Sequence, residues 1–192
     1  LFFAYPTMMS GDKVFVRTGA TFGWDGEHAL VDGFSGATPL GQLATGTAEI
    51  HDTLGHSLSF IDALNGFYPG SVGETCVWAI ALGGCLLLLT GVASWKTMLS
   101  IFVGGGLTAF LFNLGADGSN MVAAQPWYMH LVLGGFAFGA VFMATDPVPS
   151  ARTECGKWIY GLLIGFIAVL VRVLNPGYPE GMMLAILLLN LF

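Results

Sequence analysis

The sequence predicts an all-α fold, a polytopic transmembrane helical bundle with about five to six spans. Of its 192 residues, 55% are hydrophobic and 9% are charged, against about 25% charged in an average soluble domain. Mean hydropathy is +0.74. The 28 glycines suit helices that pack closely in lipid. Together these values exclude an ordinary soluble domain.

Charge and cysteine content exclude further classes. The net charge is −6 and no run of basic residues occurs, so a nucleic-acid partner is excluded. The three cysteines are an odd number, and Cys76 and Cys85, nine positions apart, fall on opposite faces of one helix. Neither a disulfide framework nor a compact metal site follows from them.

Residues 1–73 are predicted to be the end of a truncated span followed by an outward-facing loop. This region holds seven acidic and only two basic residues, Lys13 and Arg17. Four apolar residues in it recur at helical spacing between polar neighbours and predict a short amphipathic helix on the membrane surface, stopped by the Tyr68-Pro-Gly turn. These apolar residues are Leu54, Leu58, Ile61 and Leu64.

Residues 74–192 are predicted to form the transmembrane helical region. Its apolar stretches are each near the roughly 17 to 25 residues that a spanning helix needs. The predicted spans are 75–94, 98–114, 128–145 and 158–174, with a fifth that begins near 181. Because the chain begins without methionine and closes within an apolar run, we expect a fragment of a longer protein, truncated at its C-terminus.

The basic residues predict the orientation. Lys96 lies between the first two of these spans, and Arg152 and Lys157 lie between the next two, whereas the 115–127 connection has no base. The positive-inside rule places the two basic loops in the cytoplasm and the acidic region outside. Arg172, near the outer end of its span, requires a partner, and Glu180 is the nearest acid in sequence.

The outward region contains the most informative motif, which runs from Asp32 to Leu40 and reads Asp-Gly-Phe-Ser-Gly-Ala-Thr-Pro-Leu. Taken alone, it is typical of a tight surface turn. The pattern Asp-Gly-x-Ser-Gly-Ala-Thr resembles the acceptor motif of the bacterial flavin transferase, which attaches FMN through a phosphoester to the final threonine. That resemblance implies a covalent flavin on Thr38, with Gly36 and Ala37 leaving room for the phosphate. The transferase would recognise the remaining motif residues, Asp32, Gly33 and Ser35.

Two further segments extend the resemblance. The stretches from Pro126 to Val148 and from Arg172 to Met183 are similar to the B-subunit family of the sodium-translocating NADH:quinone reductases. The related D subunit of the RNF electron-transport complex shares the flavin motif but typically has Tyr-Pro-Asp-Gly, where this chain has Tyr-Pro-Glu-Gly. The quinone reductase is therefore favoured over the RNF complex.

The resemblance implies a membrane redox pump in the bacterial inner membrane, with the flavin loop on the periplasmic side. FMN would relay electrons from NADH toward quinone while sodium moves outward. The implied partners are the other subunits of the complex, the flavin transferase during maturation, quinone, sodium ion and lipid. The quinone site is expected in an N-terminal half that this sequence lacks.

Other residues are weaker candidates. Trp127, Tyr128 and His130 begin a span on the flavin's side, where they would contact the flavin or form an interfacial aromatic belt. Arg172 would neutralise the flavin phosphate or pair locally with an acid. Glu74 and Asp146 would offer carboxylates to sodium or act as solvated helix caps.

Two more patterns have structural interpretations. His51 and His56 flank Asp52, but five-residue spacing sets the two rings about 140° apart around a helix, which disfavours a metal site. Glycine pairs predict close helix contacts: Gly135 with Gly139, Gly161 with Gly165, and Gly104–Gly106.

The alternative function is a transporter or channel without redox chemistry, because the family's fold is similar to that of urea transporters.

Overall fold

A computed structural model describes residues 38–47, 50–51, 57–71, 73–116, 120–148, 150–175 and 180–191. Within these ranges the regular elements are helical, apart from isolated bridge residues that include the antiparallel pair His51 and Ser57. The helices are α1 (Pro39–Ala44), α2 (Phe60–Asn65), α3 (Val77–Leu89), α4 (Trp95–Leu114), α5 (Met121–Ala124), α6 (Trp127–Val132), α7 (Phe136–Phe138), α8 (Glu154–Leu174) and α9 (Met182–Leu189). The predicted all-α class is confirmed for the described residues.

The centre of the fold is the pair α4 and α8, which pack along most of their lengths. Both are long and apolar enough to cross a membrane. Glycines set how closely they approach: a β-carbon on Gly165 would lie 2.3 Å from the Ile101 carbonyl oxygen, and one on Gly104 would lie 2.5 Å from that of Leu162. The predicted close contacts at these glycines are confirmed.

The outer faces of the helices are apolar and exposed. Leu89 of α3 is 89% exposed and Leu107 of α4 is 58% exposed, which is the surface expected of helices that face lipid. Helix α3 covers 13 residues, fewer than the predicted span 75–94, because the chain turns at Gly91 with φ +71°.

The predicted span 128–145 is not one continuous helix in the structure. Helix α6 ends at Val132, and Gly134 then takes φ +65°, a left-handed conformation that favours glycine. Helix α7 follows and continues as a π-helical turn, Gly139–Met143. We call residues 133–135 the helix break. It leaves backbone groups without intrahelical partners.

The predicted amphipathic helix is represented by α2. It ends at Asn65, and its C-cap Gly66 takes φ +81°, two residues before the Tyr68-Pro-Gly turn that was expected to stop it. Leu58 and Leu64 pack against the core, whereas Ile61 is 66% exposed. Several predicted residues lie outside the described ranges: Asp32, Gly33, Ser35, Gly36 and Ala37 of the flavin motif, and also Asp52, Leu54 and His56.

Candidate functional site

The helix break is braced by a buried arginine from another helix. Arg172 of α8 is 1% exposed. Its Nη1 donates to the His130 carbonyl oxygen at 2.6 Å, and its Nη2 donates to that of Leu133 at 3.3 Å. Both acceptors are carbonyls that the end of α6 leaves open. The guanidinium therefore supplies hydrogen bonds that the interrupted helix no longer provides.

Two more segments complete the bracing. The Tyr68 hydroxyl donates to the Val132 carbonyl oxygen at 3.4 Å. On the other side of the break, the Gly135 amide donates to Glu180 Oε2 at 3.4 Å. Residues far apart in the sequence thus satisfy the break from both sides. Discontinuous helices of this kind occur in membrane proteins where other groups satisfy the freed backbone.

The expected ion pair between Arg172 and Glu180 does not form. Among the described residues no carboxylate lies within ion-pair distance of Arg172, and the pairs present join Lys96 and Lys157 to Glu154. The expectation was wrong because both side chains are used by the backbone of the break. Arg172 binds carbonyls there and Glu180 binds an amide.

Two groups beside the break, the Glu180 carboxyl and the Tyr68 hydroxyl, have shifted pKa values. Burial raises the pKa of Glu180; the nearby Arg172 charge opposes this rise and the Glu74 carboxylate adds to it. Burial also raises the pKa of the Tyr68 hydroxyl, and the charges of Glu74 and Glu180 raise it further. Tyr68 therefore stays protonated near neutral pH and remains a donor to the break.

Thr38, the predicted flavin residue, is the N-cap of α1. Its Oγ1 accepts a hydrogen bond from the Gly41 amide at 3.2 Å, and Pro39 occupies the first helical position. Thr38 is half-buried, whereas Leu40 is buried. Leu40 Cδ1 lies 2.9 Å from the position that a β-carbon on Gly134 would take. This contact fixes the short helix against the helix break.

A cavity of about 310 Å³ lies between α1, α5 and the end of α8. Arg172 lines it, and the guanidinium Nε has no hydrogen-bond partner among the described residues. Asn120 closes one side, since its amide nitrogen donates to the Val173 carbonyl oxygen at 2.8 Å. The cavity wall is therefore part polar and part apolar, and the guanidinium that lines it holds one buried donor, Nε, without a partner in the described part of the chain. The other lining residues are Leu43, Ala44, Gly46, Met121, Val122, Val173 and Leu174.

The other flavin-contact candidates fall in different places. His130 is 2% exposed, and its ring lies next to the Val122 backbone. Its carbonyl joins it to Arg172. Trp127 instead lines a separate apolar cavity of about 500 Å³ against α4. Tyr128 packs edge-to-face on Phe60 of α2. The structure thus brings His130 and Arg172 together and leaves Trp127 on another surface.

The carboxylates predicted for sodium also differ in setting. Glu74 Oε1 accepts from the Ser71 amide at 3.0 Å, and its Oε2 lies 3.1 Å from the position of a β-carbon on Gly135. Asp146 is exposed and accepts from the Val148 amide at 3.0 Å. No group of three or more metal-ligating side chains occurs within the described ranges. Glu74 is therefore next to the helix break, and Asp146 caps a turn.

Sequence reasoning missed the role of Tyr68 and misassigned that of Glu180. The sequence signal for the helix break was the Gly134-Gly135 dipeptide within an apolar stretch, since paired glycines mark turns. A break in a buried helix demands polar partners. Tyr68 was interpreted as part of a turn alone.

Long apolar helices around an interrupted helix, whose backbone is satisfied by buried polar side chains, define a class: helical proteins with apolar helices long enough to cross a membrane, packed around a broken helix. The particular family follows from comparison with known proteins. The model of the NQR2, RnfD, RnfE family matches residues 1–192, and the chain belongs to this family.

Several curated relatives are similar over the whole chain and are named as the B subunit of Na(+)-translocating NADH-quinone reductase. The relative from Pseudomonas aeruginosa is 50% identical over 192 residues. One from Klebsiella pneumoniae is 50% identical over 194 residues, and one from Yersinia pestis is 48% identical over 194. Each alignment covers 100% of this chain and 44% of the relative. The chain thus spans less than half the length of these relatives.

Proposed function

We propose that this chain forms part of a membrane subunit of a respiratory sodium-pumping NADH:quinone oxidoreductase, in which Thr38 carries covalent FMN. The observation that carries the proposal is the Asp32–Thr38 motif in a chain whose 50% identical relatives are named as the B subunit of that enzyme. The proposed partners are the other subunits of the complex, the flavin transferase, quinone, sodium ion and lipid.

The setting of Thr38 fits an attachment point. Its Oγ1 accepts only from the Gly41 amide among the described residues, and an ester oxygen keeps an acceptor lone pair for this bond. Proline at the next position fixes the backbone at the start of α1. FMN held there would supply one-electron and two-electron transfer. The chain's own part is to hold the ester and fix its direction through α1.

The cavity beside Arg172 fits an aromatic ring with hydrogen-bond acceptors. Helix α1 joins it to Thr38, and Ala44 on its wall is about 9 Å along the helix from Thr38 at 1.5 Å per residue. The unused Nε is a donor in a buried setting, where leaving it unpaired costs free energy. We therefore propose Arg172 as a flavin contact, with His130 as its buried neighbour. Trp127 lines a different cavity and is not part of this proposed contact.

The membrane arrangement is also proposed. The α3 and α4 helices, the interrupted segment, α8 and α9 would contribute the spans of a bundle of five to six in the bacterial inner membrane. The loop bearing Thr38 would face the periplasm, because Lys96, Arg152 and Lys157 all lie at the opposite ends of the helices. For sodium, Glu74 beside the helix break is a better placed carboxylate than Asp146.

The proposal is tested in inside-out membrane vesicles that contain the complete enzyme. NADH-dependent quinone reduction should be stimulated by sodium and should drive sodium uptake. Thr38→Ala should abolish both while the protein remains in the membrane, and activity that is unchanged in Thr38→Ala would contradict the proposal. Arg172→Lys, which keeps the charge but not the planar fork, should retain FMN and alter its potential.

Two alternatives lead to different results. The D subunit of an RNF complex shares the family and predicts no quinone reduction in these vesicles. A transporter without redox chemistry is favoured by one observation, the broken helix, which is common in transporters. It predicts solute flux through the purified protein that is independent of NADH and unchanged by Thr38→Ala.

A further inference from the structure

A polar cavity of about 460 Å³ lies at the end of the bundle away from α1. It is formed by the turn between α3 and α4 and by the segment that leads into α8. Three basic side chains and one acidic side chain line it, which gives a net formal charge of +2. These are Lys96, Arg152, Lys157 and Glu154.

The lysines and the acid form one cluster. Lys157 Nζ lies 2.8 Å from Glu154 Oε1, and Lys96 forms an ion pair with Oε2 of the same carboxylate. One carboxylate therefore holds two ammonium groups in place. Arg152 is exposed and forms no ion pair among the described residues. Its guanidinium and the surplus charge of the lysines are available to an anion.

The start of α4 adds to the positive potential. Ser94 is the N-cap, but its side chain accepts no bond from the first turn, and that turn contains no acidic residue. The first amides of this 20-residue helix therefore lack a side-chain acceptor, and the helix dipole is positive at this end. Ser94, Thr145 and Ser150 add hydroxyl groups to the wall.

The cavity lies at the level of a lipid headgroup if α4 and α8 span the bilayer. Trp95 and Trp158 form an edge-to-face pair 6.1 Å apart beside it, and tryptophan marks the membrane interface. Beyond it, apolar side chains on the outer face of the helices are exposed: Val92 is 54% exposed and Leu99 is 45% exposed. An anion in the cavity would thus have an apolar surface directly next to it.

We propose that this cavity binds the phosphate group of an anionic phospholipid, with its acyl chains along Val92 and Leu99. A basic pocket between membrane helices is suited to a lipid phosphate. Arg152 would contact the phosphate in the planar, bidentate way that guanidinium allows. A soluble phosphate would use the charges and hydroxyls but not the exposed apolar face. The proposal does not depend on the flavin on Thr38.

The test uses the complete complex in phosphatidylethanolamine bilayers that contain a photoreactive phosphatidylglycerol. After illumination, mass spectrometry of peptides should find lipid attached to segments 91–97 and 145–157. A photoreactive phosphatidylcholine should label these segments less. Arg152→Gln should reduce labelling by phosphatidylglycerol about fivefold, the factor expected for one basic residue at a membrane surface. Arg152→Lys should retain most of it.

Controls separate a bound lipid from a soluble anion and from a general effect of charge. Arg17→Gln removes the same charge from residues 1–73, which the sequence predicts to face outward, and should leave labelling of these segments unchanged. Excess inorganic phosphate should not compete, and competition would identify a soluble anion and overturn the proposal. Equal labelling by both lipids, or labelling unchanged in Arg152→Gln, would also overturn it. A loss of labelling in Arg17→Gln equal to that in Arg152→Gln would show a general charge effect and would count against the site.

Discussion

The bracing of the helix break makes Arg172 the residue whose loss should destabilise the protein most. Arg172→Met keeps a side chain of similar length and removes the guanidinium. Two charge-assisted hydrogen bonds, at 2.6 Å and 3.3 Å, are lost, and the carbonyls of His130 and Leu133 are left buried. The structure therefore predicts a specific and large effect on folding.

The magnitude follows from those two bonds. A hydrogen bond to a charged group contributes roughly 1.5–3 kcal/mol. Two bonds give about 3–6 kcal/mol, and the length of the second bond favours a value of about 4 kcal/mol. Arg172→Lys keeps the charge but has no fork to reach both carbonyls. We expect it to lose about half as much.

The assay is equilibrium unfolding of the full-length protein in mixed micelles of dodecyl maltoside and dodecyl sulfate, followed by circular dichroism. The matched control is Leu174→Met, on the same helix at a position that is 63% exposed; surface changes of this kind stay within about 0.5 kcal/mol. If Arg172→Met loses less than about 1 kcal/mol, the break is not held by Arg172 and the reasoning is refuted.

Three more predictions concern stability in the same assay. Gly165→Ala should destabilise by about 2 kcal/mol, because its β-carbon would meet backbone atoms of α4. Thr153→Ala should lose about 1 kcal/mol, because its Oγ1 caps α8 through the Gly156 amide at 3.1 Å. Glu180 titrates with a raised pKa in the folded protein. Its contribution to the free energy of unfolding is therefore largest below its unfolded pKa of 4.5 and falls as pH rises through the folded pKa. The free energy of unfolding measured against pH should show this decrease, and Glu180→Gln should remove most of it.

Matched control variants test the cause of these three predicted effects. Gly106→Ala places its β-carbon 3.7 Å from the nearest atoms and should be neutral or stabilising by up to about 1 kcal/mol. Ser94→Ala removes an N-cap that makes no side-chain bond and should change stability by only a few tenths of a kcal/mol, at about the level of a surface substitution. Gly165→Ala and Gly106→Ala should not lose equal stability, and neither should Thr153→Ala and Ser94→Ala. Equal losses within either pair, or a pH slope of stability that persists in Glu180→Gln, would contradict the contacts described.

The helices were predictable because hydropathy and glycine spacing are local properties. The α4–α8 contact at Gly161 and Gly165 follows from small residues four positions apart. The position of the helix break has a local signal, the Gly134-Gly135 dipeptide. Its partners were not predictable in this way, because Tyr68, Arg172 and Glu180 come from distant parts of the chain.

In the candidate site, too, local sequence features were predictable and long-range contacts were not. Thr38 was predicted from a contiguous motif, and Arg172 from the cost of a charge within a span. The partner of Arg172 was predicted wrongly, because the nearest acid in sequence was chosen over carbonyls freed by an unforeseen break. The cluster of Lys96, Glu154 and Lys157 joins the first turns of α4 and α8, and Lys96 and Glu154 are 58 positions apart. Charge counting therefore predicted their side of the membrane and not their contact.

The measurement that tests the central claim most directly is peptide mass spectrometry of the full-length protein, expressed together with the flavin transferase. Wild-type protein should yield a peptide spanning Asp32–Thr38 that carries the mass of FMN as a phosphoester on Thr38. Thr38→Ala should yield the corresponding peptide without flavin. After denaturation, the Thr38→Ala protein should show no yellow flavin fluorescence, whereas the wild-type protein should keep it. Covalent FMN on another residue, or none on wild-type protein, would contradict the account.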